Sequence, residues 1–569
     1  MDDLAGCANN ATAHNTDTAM CWGITENFGP EYNTVTPSNK AAQASTEALL
    51  QARGGDRIDR VMSGRWIFLL AVLAVIAWAP PASAVACNEL RSLTGYEFSV
   101  ISARVVPASA DVPEHCRVVG QILPEVMFEV DLPQNWNGRL VMVGNGGYAG
   151  EAVDTPARSG TRARLMSRGY AMTATNTGHD GQAEPLGTFA ANPQKLVDYA
   201  FRAVHVTAMT AKQVLNAYYG RRAERSYFEG CSTGGRQALI EAQRFPQDFD
   251  GVVIGAPVLN FSGTMTMYAW MAKALAAAPI PTAKMKALAD AVYAKCDAAD
   301  GLKDGLIDDP RHCDFAPRRD LKTCGAGADA ADCFTEGQIA ALEAIYAGVK
   351  SNGKPFFPGW PVGAEIGGTG SGAGPAISTG WAQWIVRDDG PTISRMFAES
   401  FFRNLAFTPR QSDFELTKFD FDKDPARLEA IHRMLDATDT DLAAFRERGG
   451  KALMYYGWAD PALNPMMGVN YYEDVLKRMG ASTPDFFRLF MMPGVFHCSG
   501  GVGPDRIDAL GALTTWVEKG TVPDRLRAAK LEAGKEVRTR PLCPYPQTAI
   551  YKGSGSVDDA ANFTCGVRK

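Results

Sequence analysis

Residues 226–244 read SYFEGCSTGGRQALIEAQR. Ser226 to Glu229 has the character of a short strand, and Gly235 to Arg244 has helical spacing. Between them stands Gly230-Cys231-Ser232-Thr233-Gly234, the G-x-S-x-G pattern of a nucleophile elbow. Small residues on both sides permit a tight turn that lifts a serine hydroxyl clear of the sheet edge. The five letters alone are weak. The chain holds 56 glycines, and a glycine-rich turn with an incidental serine gives the same string. The strand before it and the helix after it favour the elbow.

The same alternation extends in both directions. Upstream, Phe128-Glu129-Val130 lies in an alternating stretch, and Arg139 to Val143 is a short apolar strand running into Gly144-Asn145-Gly146-Gly147. Tyr170 to Thr175 is a further strand, and Val204 to Tyr219 is a helix that stops at Gly220. Downstream, Gly251 to Gly255, Ala452 to Tyr456 and Phe486 to Met491 are strands, and Ile507 to Lys519 is a closing helix. Strand and helix in alternation imply a parallel sheet with crossover helices, an α/β fold. From about Val258 to Gly450 the rhythm gives way to helices (Ala283 to Lys295; Glu336 to Ala347, with Thr335 and Gln338 placed for a capping box) and long loops. Residues 258–450 therefore read as an inserted lid-like domain, and 87–257 with 451–569 as the two parts of the core.

A serine hydroxyl needs a base, and the base needs a carboxylate to hold its tautomer. With this elbow the chain order is serine, acid, histidine, the last two following late strands. Asp460, in Tyr456-Gly457-Trp458-Ala459-Asp460-Pro461, and His497, in Pro493-Gly494-Val495-Phe496-His497-Cys498, occupy those positions. Of the chain's seven histidines, His497 alone falls in the expected loop. A turn-capping aspartate and a packed histidine are the bland alternative. The backbone N–H of Thr233 and that of Gly146 or Gly147 are the expected oxyanion donors, although a turn glycine with positive φ would look the same.

Composition narrows the setting. The 569 residues are 46% hydrophobic and 21% charged, with a net charge of -6, and no long basic run suggests nucleic acid. Trp66 to Ala79 (WIFLLAVLAVIAWA) follows Arg65 and precedes small-x-small sites at Ala82-Ser83-Ala84 and Ala84-Val85-Ala86, so residues 62–86 read as an export signal. The apolar run is shorter than the roughly 20 residues a membrane span needs, so no stable insertion is expected after cleavage. Residues 1–61 read as a disordered extension or a start assigned upstream of Met62. A secreted or periplasmic destination follows.

Ten cysteines remain beyond that segment, an even number that argues for disulfides in an exported chain. Proximity suggests Cys87–Cys116, Cys296–Cys313, Cys324–Cys333 and Cys543–Cys565, leaving Cys231 and Cys498 as a long-range pair. Those two flank the serine and the histidine, so a Ser232–His497 encounter would bring them within bonding reach. A third cluster, Asp297-x-x-Asp300-Gly301-Leu302-Lys303-Asp304-Gly305-Leu306-Ile307-Asp308, suits a hard, oxygen-seeking cation, calcium above all, or is simply a solvated acidic turn. It lacks the twelfth-position glutamate of an EF-hand. No organic cofactor is expected.

Taken together, the elbow with Gly235-Arg236-Gln237, the Asn176-Thr177-Gly178-His179 turn, Gly457-Trp458-Ala459-Asp460-Pro461, His497-Cys498 and the aspartate loop make this chain resemble the tannase and feruloyl esterase family. That resemblance covers essentially the whole chain beyond the signal. It implies an α/β-hydrolase core with a lid, a disulfide joining Cys231 and Cys498, and calcium on Asp297, Asp300 and Asp304 with the carbonyls of Leu302 and Leu306. It further implies a serine esterase acting on small aromatic-acid esters. Lid aromatics Trp381, Trp384, Phe401 and Phe402 are either aryl contacts or core. The alternatives are a terephthalate monoester hydrolase, a general carboxylesterase or peptidase with the same triad, and an inactive binding module of the same fold.

Overall fold

A computed structural model describes residues 85–365 and 380–568. The expected extension and all of the expected signal except Val85 and Ala86 lie outside the described residues. Apolar runs become buried strands. Gly251–Gly255 (β7) is buried along its whole length, as a central parallel strand covered on both faces must be. Phe98–Val106 (β1) alternates buried and exposed at one end, as an edge strand does.

Nine strands form one sheet in the order β1-β2-β3-β5-β4-β6-β7-β10-β11. Here β2 is His115–Ile122, β3 Val126–Pro133, β4 Arg139–Val143, β5 Ala171–Thr175, β6 Arg225–Cys231, β10 Lys451–Gly457 and β11 Phe487–Met492. The first three run antiparallel to their neighbours, and β5, β4, β6, β7, β10 and β11 are mutually parallel. Alternate residues feed two cores. Met142, Phe228, Ile254 and Met454 pack with helix Thr233–Arg244 on one face. Val141, Tyr227, Val253 and Leu453 pack with Leu510, Leu513 and Trp516 of helix Ala509–Lys519 on the other.

Between β7 and β10 no described strand enters this sheet. That stretch carries helices Phe261–Ala277, Met285–Cys296, Glu336–Ala347 and Ile393–Asn404, with a small hairpin of β8 (Val349–Ser351) and β9 (Lys354–Phe357). The capping box forms as expected: Gln338 N–H donates to Thr335 Oγ1 at 3.3 Å, and Thr335 N–H to Gln338 Oε1 at 3.1 Å. Two helices start later than their apolar spacing suggests. A 3₁₀ turn, Thr282–Lys284, precedes Met285, and Asp508 caps the last helix by accepting from Gly511 N–H at 3.1 Å, so it begins at Ala509 rather than Ile507. Beyond Lys519 the chain forms two separate hairpins, β12 (Leu526–Glu532) with β13 (Lys535–Leu542) and β14 (Thr548–Tyr551) with β15 (Phe563–Gly566). All five expected cysteine pairs stand at bonding distance.

Candidate active site

Ser232 sits between β6 and helix Thr233–Arg244 with φ 64° and ψ -122°. A non-glycine residue pays strain for positive φ, and such strain is tolerated where the surroundings over-determine it. Here they do. A Cβ at Gly230 would lie 2.6 Å from the Gly234 carbonyl carbon, and one at Gly144 would lie 2.6 Å from Gly234 Cα. The elbow and the glycine turn after β4 therefore touch backbone to backbone, which only glycine permits.

Side chains lock that contact. Gln237 Oε1 accepts Asn145 N–H at 3.0 Å, and the Thr233 hydroxyl donates to the Gly147 carbonyl, which also accepts Tyr199 Oη–H at 3.1 Å. Arg236 is fully buried, and its guanidinium donates to the carbonyls of Ala200, Leu435 and Tyr199 at 3.0, 3.0 and 3.2 Å. The sequence left Gly146 and Gly147 as alternatives for the second oxyanion donor. Gly146 N–H already donates to Glu151 Oε1 at 2.8 Å, so it is not free to receive an oxyanion. Gly147, whose N–H has no hydrogen-bond partner among the described residues, lines the cavity beside Thr233. The carboxylate of Glu151 is held in turn by Arg158 at 2.6 Å. Nothing in the spacing of the glycine turn pointed to Glu151.

Asp460 lies in the turn beyond β10 and is fully buried. Its Oδ1 accepts Ala462 N–H and Leu463 N–H, each at 2.8 Å, while Oδ2 lies 2.8 Å from His497 Nδ1. His497 follows β11 and is 4% exposed. With Nδ1 turned to the carboxylate, Nε2 is the nitrogen left for a hydroxyl. Ser232 and His497 line one cavity of about 560 Å³, and the Cys231–Cys498 disulfide on its rim joins their chain neighbours with Cα atoms 6.0 Å apart.

Most of the cavity wall is apolar, with Asn145, Thr161 and Thr233 among the polar residues that line it. Trp384 stands edge to His497 with ring centres 6.1 Å apart, and Phe397 lies 6.2 Å from Trp384 and 5.1 Å from Tyr148. Of the four lid aromatics picked out in the sequence, only Trp384 lines the cavity. Trp381, Phe401 and Phe402 are fully buried core. Phe397 shares the helix Ile393–Asn404 with Phe401 and Phe402, and nothing in the sequence tells which of the three faces the cavity.

The aspartate loop forms a second polar cavity of about 260 Å³, lined by Asp300, Leu302, Asp304, Leu306 and Asp308. Asp297 braces it by accepting Asp304 N–H and Gly305 N–H at 3.1 and 2.9 Å. Asp300 and Asp304 accept Leu302 N–H and Leu306 N–H. Burial pushes Asp300 above the usual carboxylate range and Asp308 up to about 6. Concentrated, partly desolvated oxygen donors of this kind fit a hard divalent cation. Two arginines from the C-terminal part of the chain also reach the loop: Arg540 of β13 pairs with Asp304, and Arg568, just beyond β15, lies 3.1 Å from Asp308. Elsewhere, ligand atoms of His205, Glu241 and Asp248 lie within 4.8 Å of one another. His205 Nδ1 is 2.6 Å from Asp248 Oδ2, and Lys212 Nζ donates to the Asp248 carbonyl.

A model of the tannase and feruloyl esterase family matches residues 110–566. This chain belongs to that family. It is 35% identical to the mono(2-hydroxyethyl) terephthalate hydrolase of Piscinibacter sakaiensis over 85% of its own length and 92% of that protein's. It is 29% identical to feruloyl esterase B of Aspergillus niger, over 84% of this chain and 90% of the relative. The crystal structure of feruloyl esterase B from Aspergillus oryzae superposes with a TM-score of 0.73 at 27% identity, covering 84% of this chain and 99% of that one. The fold of this family member is accordingly an α/β-hydrolase core with a large insertion, stapled by disulfides, and the protein is a carboxylic ester hydrolase. No helix among the described residues is long and apolar enough to cross a membrane.

Proposed function

We propose that this tannase-family chain hydrolyses esters of aromatic acids through an acyl-enzyme on Ser232. The observation that carries this reading is the Asp460–His497 contact, opening onto a cavity that Ser232 shares and that Trp384 and Phe397 wall with aromatic surface. Ser232 Oγ attacks the ester carbonyl while His497 Nε2 takes its proton. The N–H groups of Thr233 and Gly147 receive the oxyanion, and His497 then protonates the departing alcohol. Water, deprotonated by His497, adds to the acyl-enzyme and releases the aromatic acid and the serine. Asp460 holds the imidazole in the required tautomer and steadies its charged form.

Two further assignments belong to this reading. Calcium is placed in the aspartate loop, on Asp297, Asp300 and Asp304 with the carbonyls of Leu302 and Leu306, where it would brace the insertion and take no part in the chemistry. Export is supported by the five cysteine pairs and by the signal-like segment 62–86. The decisive experiment is Ser232→Ala assayed on methyl ferulate, with circular dichroism as the fold control. Loss of about 10⁴-fold or more in kcat is expected. Retained turnover would remove Ser232 as nucleophile.

A further inference from the structure

The cavity at Ser232 is walled by Phe261, Met265, Trp384, Ile393, Phe397 and Leu463, and no lysine or arginine lines it among the described residues. The basic groups nearest in the chain to its lining residues are engaged elsewhere. Arg162, beside Thr161, pairs with Glu129 and Asp131, Arg158 pairs with Glu151, and Arg164 pairs with Glu229. Arg236 donates to three backbone carbonyls, Arg395 is half exposed and pairs with Glu399, and Arg387 donates to the Pro391 carbonyl at 3.2 Å. Residues 366–379, IGGTGSGAGPAIST, contain no basic residue at all. The cavity tyrosines offer no substitute. Tyr148 Oη–H donates to the Phe397 carbonyl at 3.1 Å and Tyr268 Oη–H to the Ala462 carbonyl, and burial pushes both phenols well above their ordinary value.

An aromatic acid with a second, unesterified carboxyl is anionic at neutral pH. Its acyl ring would carry that charge against apolar walls, and an unpaired buried carboxylate costs several kcal/mol. We infer that this site selects aromatic acyl groups whose only carboxyl is the one in the scissile ester, and that it discriminates against the monoesters of aromatic dicarboxylic acids. The inference rests on the aromatic-ester reading above and adds the charge class of the substrate to it.

Dimethyl terephthalate tests this in one reaction vessel. Addition of water across its first ester releases methanol and leaves monomethyl terephthalate, in which the ring, the scissile ester and the leaving alcohol are unchanged and only the distal group has become a carboxylate. The wild-type enzyme is expected to convert the diester and then stop, so that the monoester accumulates. Its kcat/KM should be about 100-fold or more below that of the diester after the twofold statistical factor, the ratio that a loss of several kcal/mol implies. The Ile393→Arg variant, which places a cation one helical turn from Phe397, should raise the monoester-to-diester ratio at least about tenfold. Smooth conversion of the diester to terephthalate by the wild type would overturn the inference, whether or not the variant folds. Failure to cleave dimethyl terephthalate and methyl benzoate, with p-nitrophenyl acetate still hydrolysed, would instead overturn the aromatic-ester reading and this inference with it.

Discussion

His497 presents Nδ1 to Asp460 Oδ2 at 2.8 Å, and the other oxygen of that fully buried carboxylate accepts two backbone N–H groups of its own turn. The aspartate is thereby fixed from both ends. An amide in its place could keep only one kind of partner: if its oxygen stays with Ala462 and Leu463, its NH₂ faces His497 and favours the wrong tautomer. Asp460→Asn is therefore expected to lower kcat by about 10⁴-fold with KM little changed and the fold intact. Activity within tenfold of wild type would show that this carboxylate does not orient the base.

Glu151 does not touch the reacting atoms in this proposal. It holds Gly146 N–H, and so sets the direction of the next N–H, that of Gly147. Glu151→Ala should reduce kcat by about 10- to 100-fold while KM stays within about threefold, because the misplaced donor serves the developing oxyanion more than the bound ester. Glu151→Gln keeps an acceptor for Gly146 and should recover most of the rate. A change in melting temperature without that split in the kinetic constants would reduce Glu151 to a structural role.

The parallel part of the sheet was readable because its strands are short apolar runs bounded by glycine, and their two-face burial leaves no other use for such residues. Ser232, Asp460 and His497 stand out in the sequence because each sits in a turn directly after a strand, and the fold brings Asp460 against His497 and His497 into the cavity that Ser232 lines. What escaped was whatever depends on contacts distant in sequence. Phe397 as a cavity wall, and Arg540 and Arg568 against the aspartate loop, leave no local pattern. The Gly146–Glu151 bond spans only five residues, but it closes an irregular loop that no turn motif marks. The hairpins beyond Lys519 escaped for other reasons: β14 and β15 have four residues each, too few for alternation to stand out, and β12 (LRAAKLE) and β13 (KEVRTRPL) are rich in charged residues and do not alternate regularly.

Cys231 and Cys498 close a span of 267 residues. In the chain-entropy model a link that long contributes roughly 5 kcal/mol at most, by restricting the unfolded chain. The paired Cys231→Ser, Cys498→Ser variant should melt several degrees lower and lose activity beyond the loss of stability, because the loop carrying His497 is no longer tied to the elbow. Unchanged kcat at temperatures well below melting would separate the staple from catalysis.

Calcium in the aspartate loop would stabilise the folded state by mass action. At about 100 times its dissociation constant the gain is near 2.7 kcal/mol, about 2–3 degrees of melting temperature for a chain this size. Chelation should remove that increment, added calcium should restore it, and Asp300→Asn should make the melt insensitive to both. A wild-type melt unmoved by chelator, with no calcium found by elemental analysis, would assign the loop to its arginines instead.

Glu241 carries the clearest dependence of stability on pH. It lies on helix Thr233–Arg244, is 1% exposed, and burial first, then the negative charge of Asp248, holds its carboxyl well above the ordinary value. Ionised, neither of its oxygens finds a donor; protonated, it can donate to Asp248. A carboxyl whose folded-state value is raised contributes stability that is fully present below its ordinary range and is lost as pH rises through the raised value, because the unfolded chain releases the proton first. Glu241→Gln copies the protonated form and does not titrate. The variant should therefore gain on wild type as pH rises from 5 to 9, by on the order of 1 to 3 kcal/mol at the upper end, the cost of leaving a buried polar group unsatisfied. Thermal melts of both proteins across that range check it. A gap that stays constant or narrows with rising pH would mean that Lys212 and His205 keep the Glu241 carboxylate charged in the folded protein.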